Sequence, residues 1–224
     1  MATLLVTGAG SGIGHVLAER LLERGDDVWL VARSPERAHD LRDDHPGATV
    51  LVADLAWPES VEGLDLPESL DSVVHAAGVI RLGRVSDLSV DDWASQLRVN
   101  LVAPAVLTRV ALPALRAARG TVVLVNSGSG LRAHPEWAAY AATKHGLRAL
   151  ADSLRAEEQE HGVRVTSVYP GRTATPMQRA VHEHEGKDYD ADDWIDPATV
   201  AETILGVIDL PEDATVTDVT VRPR

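Results

Sequence analysis

Short apolar runs rich in β-branched residues alternate with amphipathic stretches along this chain from Thr3 to Val221. Thr3–Val6, Val28–Val31, Ala48–Ala53, Ser72–His75, Thr121–Val125, Val163–Tyr169 and Val216–Val221 have the length and composition of strands. Helical periodicity fills the spaces between most of them, over about Ile13–Arg24, Pro35–His45, Val90–Leu101, Ala103–Ala118, Trp137–His161 and Pro197–Ile208. Strands separated by helices cannot pair as hairpins. They pair in parallel through crossover connections, so the helices cover both faces of the sheet. The expected fold class is therefore α/β, with a doubly wound, mostly parallel seven-stranded sheet. No linker, repeat or low-complexity segment divides residues 1–224, which predicts a single domain.

The first strand-to-helix turn, Thr7 to Gly14, reads TGAGSGIG. A glycine-rich turn of this kind lets backbone approach a pyrophosphate closely while the helix N-terminus offers free N–H groups. Its spacing, T-G-x-x-x-G-x-G, matches no register of G-x-G-x-x-G, and no Gly-Lys-Ser/Thr follows to make a nucleoside triphosphate loop. After the second strand comes Ala32-Arg33-Ser34. A dinucleotide site that takes a ribose 2′-hydroxyl carries an acid here, whereas an arginine accommodates a 2′-phosphate. Arg33 therefore points to NADP rather than NAD, with Ser11 and Ser34 as further hydroxyl donors. Asp54 closes the third strand, as a carboxylate for the adenine amino group or as a plain turn cap. Ala76-Ala77-Gly78 after the fourth strand leaves room for a ribose against the backbone.

The most chemically loaded stretch is SGSGLRAHPEWAAYAATK, Ser127 to Lys144. Tyr140 and Lys144 are four apart, so a helix stacks them on one face. A cation beside a phenol favours its ionised form, which predicts a lowered Tyr140 pKa and a proton donor and acceptor working nearer neutral pH. Ser127, thirteen residues before Tyr140 and at the end of a buried strand, supplies a hydroxyl to the same spot.

Composition removes several alternatives. A formal charge of −13 lacks the basic stripe that nucleic acid demands. Without cysteine there is neither a disulfide framework nor a thiolate metal site. The opening MATLLVTG enters a strand at once without a cleavable leader, and no apolar run approaches the ~20 residues of a membrane span. The expectation is a cytoplasmic protein with no membrane or nucleic-acid partner. Only two lysines stand against nineteen arginines, which makes the lysine at 144 informative.

Taken in order, these pieces resemble the classical short-chain dehydrogenase/reductase family over essentially the whole chain. The resemblance rests on TGAGSGIG at 7–14, Asp54-Leu55, the 76–78 turn, Val99-Asn100, Ser127, Tyr140-Ala-Ala-Thr-Lys144, and Pro170-Gly171 with Thr175. It implies one Rossmann-type NAD(P)-binding oxidoreductase domain, with the cofactor part over about 1–125 and the catalytic and substrate part over about 126–224. Within it, Tyr140 is the general acid in carbonyl reduction and the base in alcohol oxidation. Lys144 lowers its pKa and holds the nicotinamide ribose. Ser127 hydrogen-bonds the substrate oxygen, and Asn100 kinks its helix and holds a relay water. The resemblance further implies NADP(H) contacts from Gly8, Ser11, Gly12, Ile13, Gly14, Arg33, Asp54, Leu55, Ala77, Gly78, Tyr140, Lys144, Pro170, Gly171, Thr173 and Thr175. The short polar flap points to a small or medium-sized ketone or aldehyde, or the matching alcohol, as the expected substrate, and the resemblance implies a homodimer or homotetramer built on the helices around 103–118 and 138–156.

Two departures stand out. Ala76 replaces an asparagine usual in the family, weakening a tie across the sheet, and Thr173 stands where Val or Ile is common. A non-catalytic NADP(H)-binding regulator or scaffold on the same fold is the alternative function; an epimerase or dehydratase is disfavoured by the glycine spacing. Ser129 is a second hydroxyl close to Ser127. Trp137 and Met177 are expected to line the pocket, ahead of Leu131, His134 and Arg81. Residues 172–189 read as a polar, mobile flap, and its His182-Glu-His-Glu185 as a solvated face rather than a metal site. Glu157, Glu158 and Glu160 read as the wet side of a helix.

Overall fold

The computed structural model describes all residues, 1–224. Its seven strands form one fully parallel sheet in the order β3-β2-β1-β4-β5-β6-β7. They are β1 (Thr3–Thr7), β2 (Asp27–Ala32), β3 (Thr49–Val52), β4 (Ser72–His75), β5 (Thr121–Val125), β6 (Arg164–Pro170) and β7 (Asp218–Val221). β4 and β5 are buried at every position because they lie mid-sheet under helices on both sides. β7, at the edge, alternates between exposed and half-buried residues and is shorter than the sequence pattern predicts.

The helices are α1 (Gly12–Glu23), α2 (Pro35–Asp44), α3 (Val90–Leu97), α4 (Ala103–Ala118), α5 (Ala138–Glu158), α6 (Pro176–Glu185) and α7 (Pro197–Ile208). Two apolar layers sandwich the sheet. Leu17 and Leu21 of α1 and Ile204 of α7 pack on one face with Leu4, Leu30 and Val168. Leu107 and Leu115 of α4 and Leu147 and Leu154 of α5 pack on the other with Leu5, Val73 and Leu124. Such paired layers are what a doubly wound sheet requires.

Three segments depart from the sequence pattern. α3 and α4 are joined without a break through a π-helical turn, Arg98–Val102, giving one helical stretch over Val90–Ala118, within which an 18-residue window reaches a mean hydropathy of 1.4. That stretch is longer than any the sequence predicted, and its stripe of Leu107, Ala111 and Leu115 is sheet core. Second, residues expected as an irregular flap form α6, with Pro176 at its first position and Thr175 accepting from Gln178 N–H at 3.3 Å. Third, Glu158 is buried rather than on a wet face. The Arg116 guanidinium holds it bidentately at 2.7 and 2.8 Å, fastening α4 to α5 and keeping the carboxyl below its usual range.

Candidate active site

The strand order turns back between β1 and β4, and at such a switch point the connections leave to opposite faces and open a crevice at the carboxyl ends of the strands. A cavity of about 1160 Å³ occupies it. One end is lined by Gly8, Ser11, Gly12, Ile13, Arg33, Asp54 and Leu55, and the middle by Ala77 and Gly78. The other end is lined by Ser127, Tyr140, Lys144, Pro170, Gly171, Thr173 and Thr175. Residues from every quarter of the chain meet here because all of them follow strand ends.

The glycine-rich turn is built around two close approaches. Gly8 has φ +78°, and any Cβ on it would overlap the main chain of Ala76 and Ala77. Gly12 has φ +58° and faces the Thr175 side chain across the cavity. The N–H of Ala77 donates to Thr7 Oγ1 at 3.1 Å, a tie across the sheet at the turn where Ala76 replaces the family's asparagine. Gly14 has another role than the cofactor contact expected of it. It lies behind the cavity wall, where α1 crosses the carbonyl of Gly8 too closely for a side chain.

The fit to a dinucleotide can be tested at the start of α1. Ser34, Ser89, Thr175 and Asp196 cap α2, α3, α6 and α7 with their side chains. The Ser11 side chain makes no such bond at α1, and the first turn carries no acid. Uncapped N–H groups at a helix N-terminus facing a cavity suit a pyrophosphate, and these residues therefore fit NAD(P). Arg33 is exposed at the cavity edge with no ion pair or hydrogen bond from its guanidinium, and Ala32 offers no carboxylate beside it. Ser34 is a correction: its Oγ accepts from Arg37 N–H at 3.3 Å and its hydroxyl bonds Glu36, so it caps α2 instead of lining the cavity. Asp54 caps its turn, Oδ1 accepting from Ala56 N–H at 2.9 Å, and also lines the cavity.

At the opposite end, β5 delivers Ser127 and α5 delivers Tyr140 and Lys144. The Ser127 backbone is extended and Oγ accepts from Ser129 N–H at 3.1 Å. Burial raises the Tyr140 phenol to about 12, opposed in part by a hydrogen bond from Ser127. The expected lowering by Lys144 is not present in this state. Its Nζ is 5.8 Å from the Tyr140 ring centroid and donates to the carbonyl of Val125 at 2.9 Å. Burial brings Lys144 itself down to about 8. The site thus holds a phenol that stays protonated at neutral pH beside a cation whose charge is easily lost.

Asn100 lies in the π turn between α3 and α4, the kind of irregularity at which helices bend. Its side chain lies outside the cavity lining and cannot donate to a relay water: Nδ2 donates to Val79 O at 2.8 Å and Thr143 Oγ1 at 3.1 Å, while Oδ1 accepts from Val79 N–H at 2.8 Å. Thr173 donates to Gly171 O at 3.1 Å, and Thr175 spends its hydroxyl on Thr173 O and the α6 cap. Trp137, Met177 and His134 line the cavity, whereas Leu131 and Arg81 do not. In the His182-to-Glu185 run, Glu183 and His184 are exposed as expected, whereas the other two face inward. His182 is buried in contact with Gln178, Tyr189 and Trp194, and Glu185 pairs with Arg172 and Lys187, which hold it at about 2.

Sequence reasoning missed Asn126, Arg37, Arg132 and Arg222, which also line the cavity. Asn126 and Arg222 follow the last residues of β5 and β7, so the rule that ligands bind at strand ends was the available signal. Arg37 and Arg132 arrive by tertiary placement alone.

Comparison with known proteins agrees with this geometry. A family profile described as short chain dehydrogenase matches residues 2–186, and the chain belongs to the short-chain dehydrogenase/reductase family. It is 30% identical over 227 residues to an uncharacterized oxidoreductase of Staphylococcus aureus, covering 98% of this chain and 96% of the relative. A similar protein of Staphylococcus epidermidis is 29% identical over 226 residues, with the same coverage. Among solved structures, an alcohol dehydrogenase of the archaeon Thermococcus sibiricus complexed with 5-hydroxy-NADP superposes with a TM-score of 0.86 at 26% identity, covering 100% of this chain and 97% of that one. A 4-hydroxyisoleucine dehydrogenase mutant complexed with NADH and succinate gives 0.83 at 28% identity, covering 99% and 97%.

Proposed function

We propose that this oxidoreductase is NADP(H)-dependent and interconverts a ketone or aldehyde with its alcohol, using Tyr140 as general acid and base. One observation carries the reading: Ser127, Tyr140 and Lys144 share a cavity with the uncapped N-terminus of α1. Residues up to about 125 then serve the cofactor, and those from about 126 onward serve catalysis and substrate. When bound, NADPH supplies the hydride. The N–H groups of α1 hold its pyrophosphate, and Arg33, with nothing else to pair with, takes the 2′-phosphate. Neighbours complexed with NADP or a derivative of it support that choice, although another is complexed with NADH.

During carbonyl reduction the Ser127 hydroxyl donates to the substrate oxygen as negative charge grows there. Tyr140 gives that oxygen its phenolic proton, which its protonated state in this site favours. Lys144 leaves Val125 for the ribose hydroxyls and places its charge beside the phenolate left behind. Oxidation reverses the proton transfer. Trp137 and Met177 exclude water from the substrate side. We further propose pairing of two copies through α4 and α5.

The test has two stages. Fluorescence titration with NADPH and NADH, for the wild type and Arg33→Ala, should give tighter NADPH binding that the variant loses. A carbonyl panel should then give NADPH oxidation that Tyr140→Phe reduces by a factor of about 10²–10⁴. Tight binding without turnover of any carbonyl would favour a cofactor-binding regulator instead.

A further inference from the structure

Resting on that reading, we infer that the substrate is a short oxo- or hydroxy-carboxylate, its carboxylate held by Arg222, with Arg132 a second free cation lining the same cavity. The argument begins with charge. The charged side chains at the substrate end of the cavity, beyond Lys144, are Arg132, Arg172, Glu185 and Arg222. Glu185 is the one acid among them, and it is already doubly engaged, bidentately by Arg172 at 2.5 and 3.1 Å and by Lys187 at 3.0 Å. Arg172 is spent in the same pair. The guanidinium groups of Arg132 and Arg222 make no ion pair and no hydrogen bond. Two uncompensated cations thus face the substrate space of a chain whose net charge is −13. Unpaired arginines occur elsewhere on this chain, Arg33 among them, so it is the placement of these two that argues for a ligand. Both line the substrate end, where the one acid is already taken, and an anionic group on the substrate is the partner left to them.

Geometry ties the charge to the chemistry. Arg222 follows β7, and the end of that strand is fixed over the site by the Gly171 N–H, which donates to Val221 O at 2.7 Å. Pro223 packs directly against Gly171. One guanidinium nitrogen of Arg222 lies 3.9 Å from where a Cβ on Gly128 would stand. Consecutive Cα atoms are about 3.8 Å apart, so this nitrogen hangs over the strand end that carries Ser127, the residue next to Gly128. A ligand whose oxygen meets Ser127 and Tyr140 therefore needs only a short carbon chain for an anionic group to reach Arg222. Arginine's planar fork suits a carboxylate held by two parallel hydrogen bonds.

The experiment compares acetoacetate and pyruvate with their methyl esters, which keep the reacting carbonyl and remove the charge. Each is assayed as an NADPH- or NADH-dependent substrate, and its binding to cofactor-saturated protein is followed by tryptophan fluorescence. In the wild type kcat/KM should favour at least one acid over its ester by tenfold or more. Arg222→Gln should cut that ratio by tenfold or more, chiefly through KM, Arg222→Lys should keep part of it, and Arg132→Gln should show a smaller fall. Equal use of acid and ester, or a ratio unchanged in Arg222→Gln, would overturn the inference while the oxidoreductase reading stands. Arg222-dependent binding of the acids without turnover would support the anion site and overturn the reading instead.

Discussion

The side chain of Asn126 reaches across to α5 and donates from Nδ2 to the main-chain carbonyl of Lys144 at 3.1 Å. Its Oδ1 accepts from the N–H of Ser127 at 2.9 Å. One buried carboxamide thus sets the spacing between the strand that presents the serine and the helix that presents the tyrosine and lysine. Lys144 is tied to β5 a second time by its Nζ, which donates to Val125 O at 2.9 Å. A catalytic constellation works only when held in register, and misplacement by about 1 Å costs on the order of 10²-fold in rate.

Replacing Asn126 should therefore damage turnover out of proportion to stability. Asn126→Leu strands the Ser127 N–H, at a cost of roughly 1–3 kcal/mol, and takes from the Lys144 carbonyl the bond that ties it to β5, leaving that carbonyl its helical donor. Asn126→Asp keeps the acceptor and loses only the donor to Lys144. We expect kcat to fall about tenfold or more in Asn126→Asp with the protein still folded, and further in Asn126→Leu with a lowered Tm. Steady-state kinetics beside thermal unfolding will separate the two effects. An Asn126→Asp enzyme of wild-type kcat would show that the tie does not set the geometry.

Little of this tie was legible in the sequence, although the elements it joins were. The β-branched run Thr121–Val125 announces a buried strand and the Tyr140/Lys144 spacing a helix, because period and composition are local properties. The destination of the Asn126 side chain is tertiary. α6 shows the opposite case. Thr175 and Pro176 carried a helix-start signal in plain view, but the polar residues after them gave only a weak apolar stripe. Glu158 and His182 read as solvated because helical period cannot reveal a facing arginine or an aromatic cage. The Tyr140 pKa was misjudged for a related reason. Spacing reported the nearby lysine, while burial, the larger influence, is set by the whole fold.

Arg33 gives a sharp prediction about the cofactor. Its guanidinium has no internal partner, so removing it should leave the fold untouched. We expect Arg33→Ala to weaken NADPH binding by about tenfold or more, the scale of a charge-assisted hydrogen bond of ~1.5–3 kcal/mol, with NADH binding little changed. Ala32→Asp with Arg33→Ala should move preference towards NADH, since a carboxylate there accepts from a ribose hydroxyl and repels a phosphate. Parallel titrations with both cofactors provide the check.

His75 predicts a pH dependence of stability separate from catalysis. It is buried in β4 with Nε2 paired to Thr108 Oγ1 at 2.8 Å, and desolvation lowers its pKa from 6.5 to about 3. Between those values the unfolded chain binds a proton that the folded chain refuses. The contribution is fully present above 6.5 and is lost as pH falls towards 3. Urea unfolding between pH 7 and 5, above the range where ordinary carboxylates titrate, should show stability dropping by about 1.4 kcal/mol per pH unit where this group dominates. His75→Asn should flatten that part of the slope. An identical slope in the variant would assign the acid sensitivity to other histidines.

Lys144 and Tyr140 make the two directions of the reaction respond oppositely to pH. Burial moves the lysine to about 8 and the tyrosine to about 12. Reduction needs the phenol protonated, which it is throughout the neutral range, and benefits from a charged lysine next to the phenolate that forms. The kcat/KM for reduction should therefore be flat at neutral pH and decline as pH rises through about 8, where Lys144 gives up its proton. Oxidation needs the phenolate, so its rate should climb with pH over the same interval. Lys144→Arg separates the causes, because a guanidinium keeps its charge. That variant will be slower, since arginine cannot reproduce the Nζ position, but its reduction profile should lose the decline near 8. If the decline persists in Lys144→Arg, the titrating group is not Lys144, and the phenol itself must then ionise much lower in the working enzyme than its burial alone would set it.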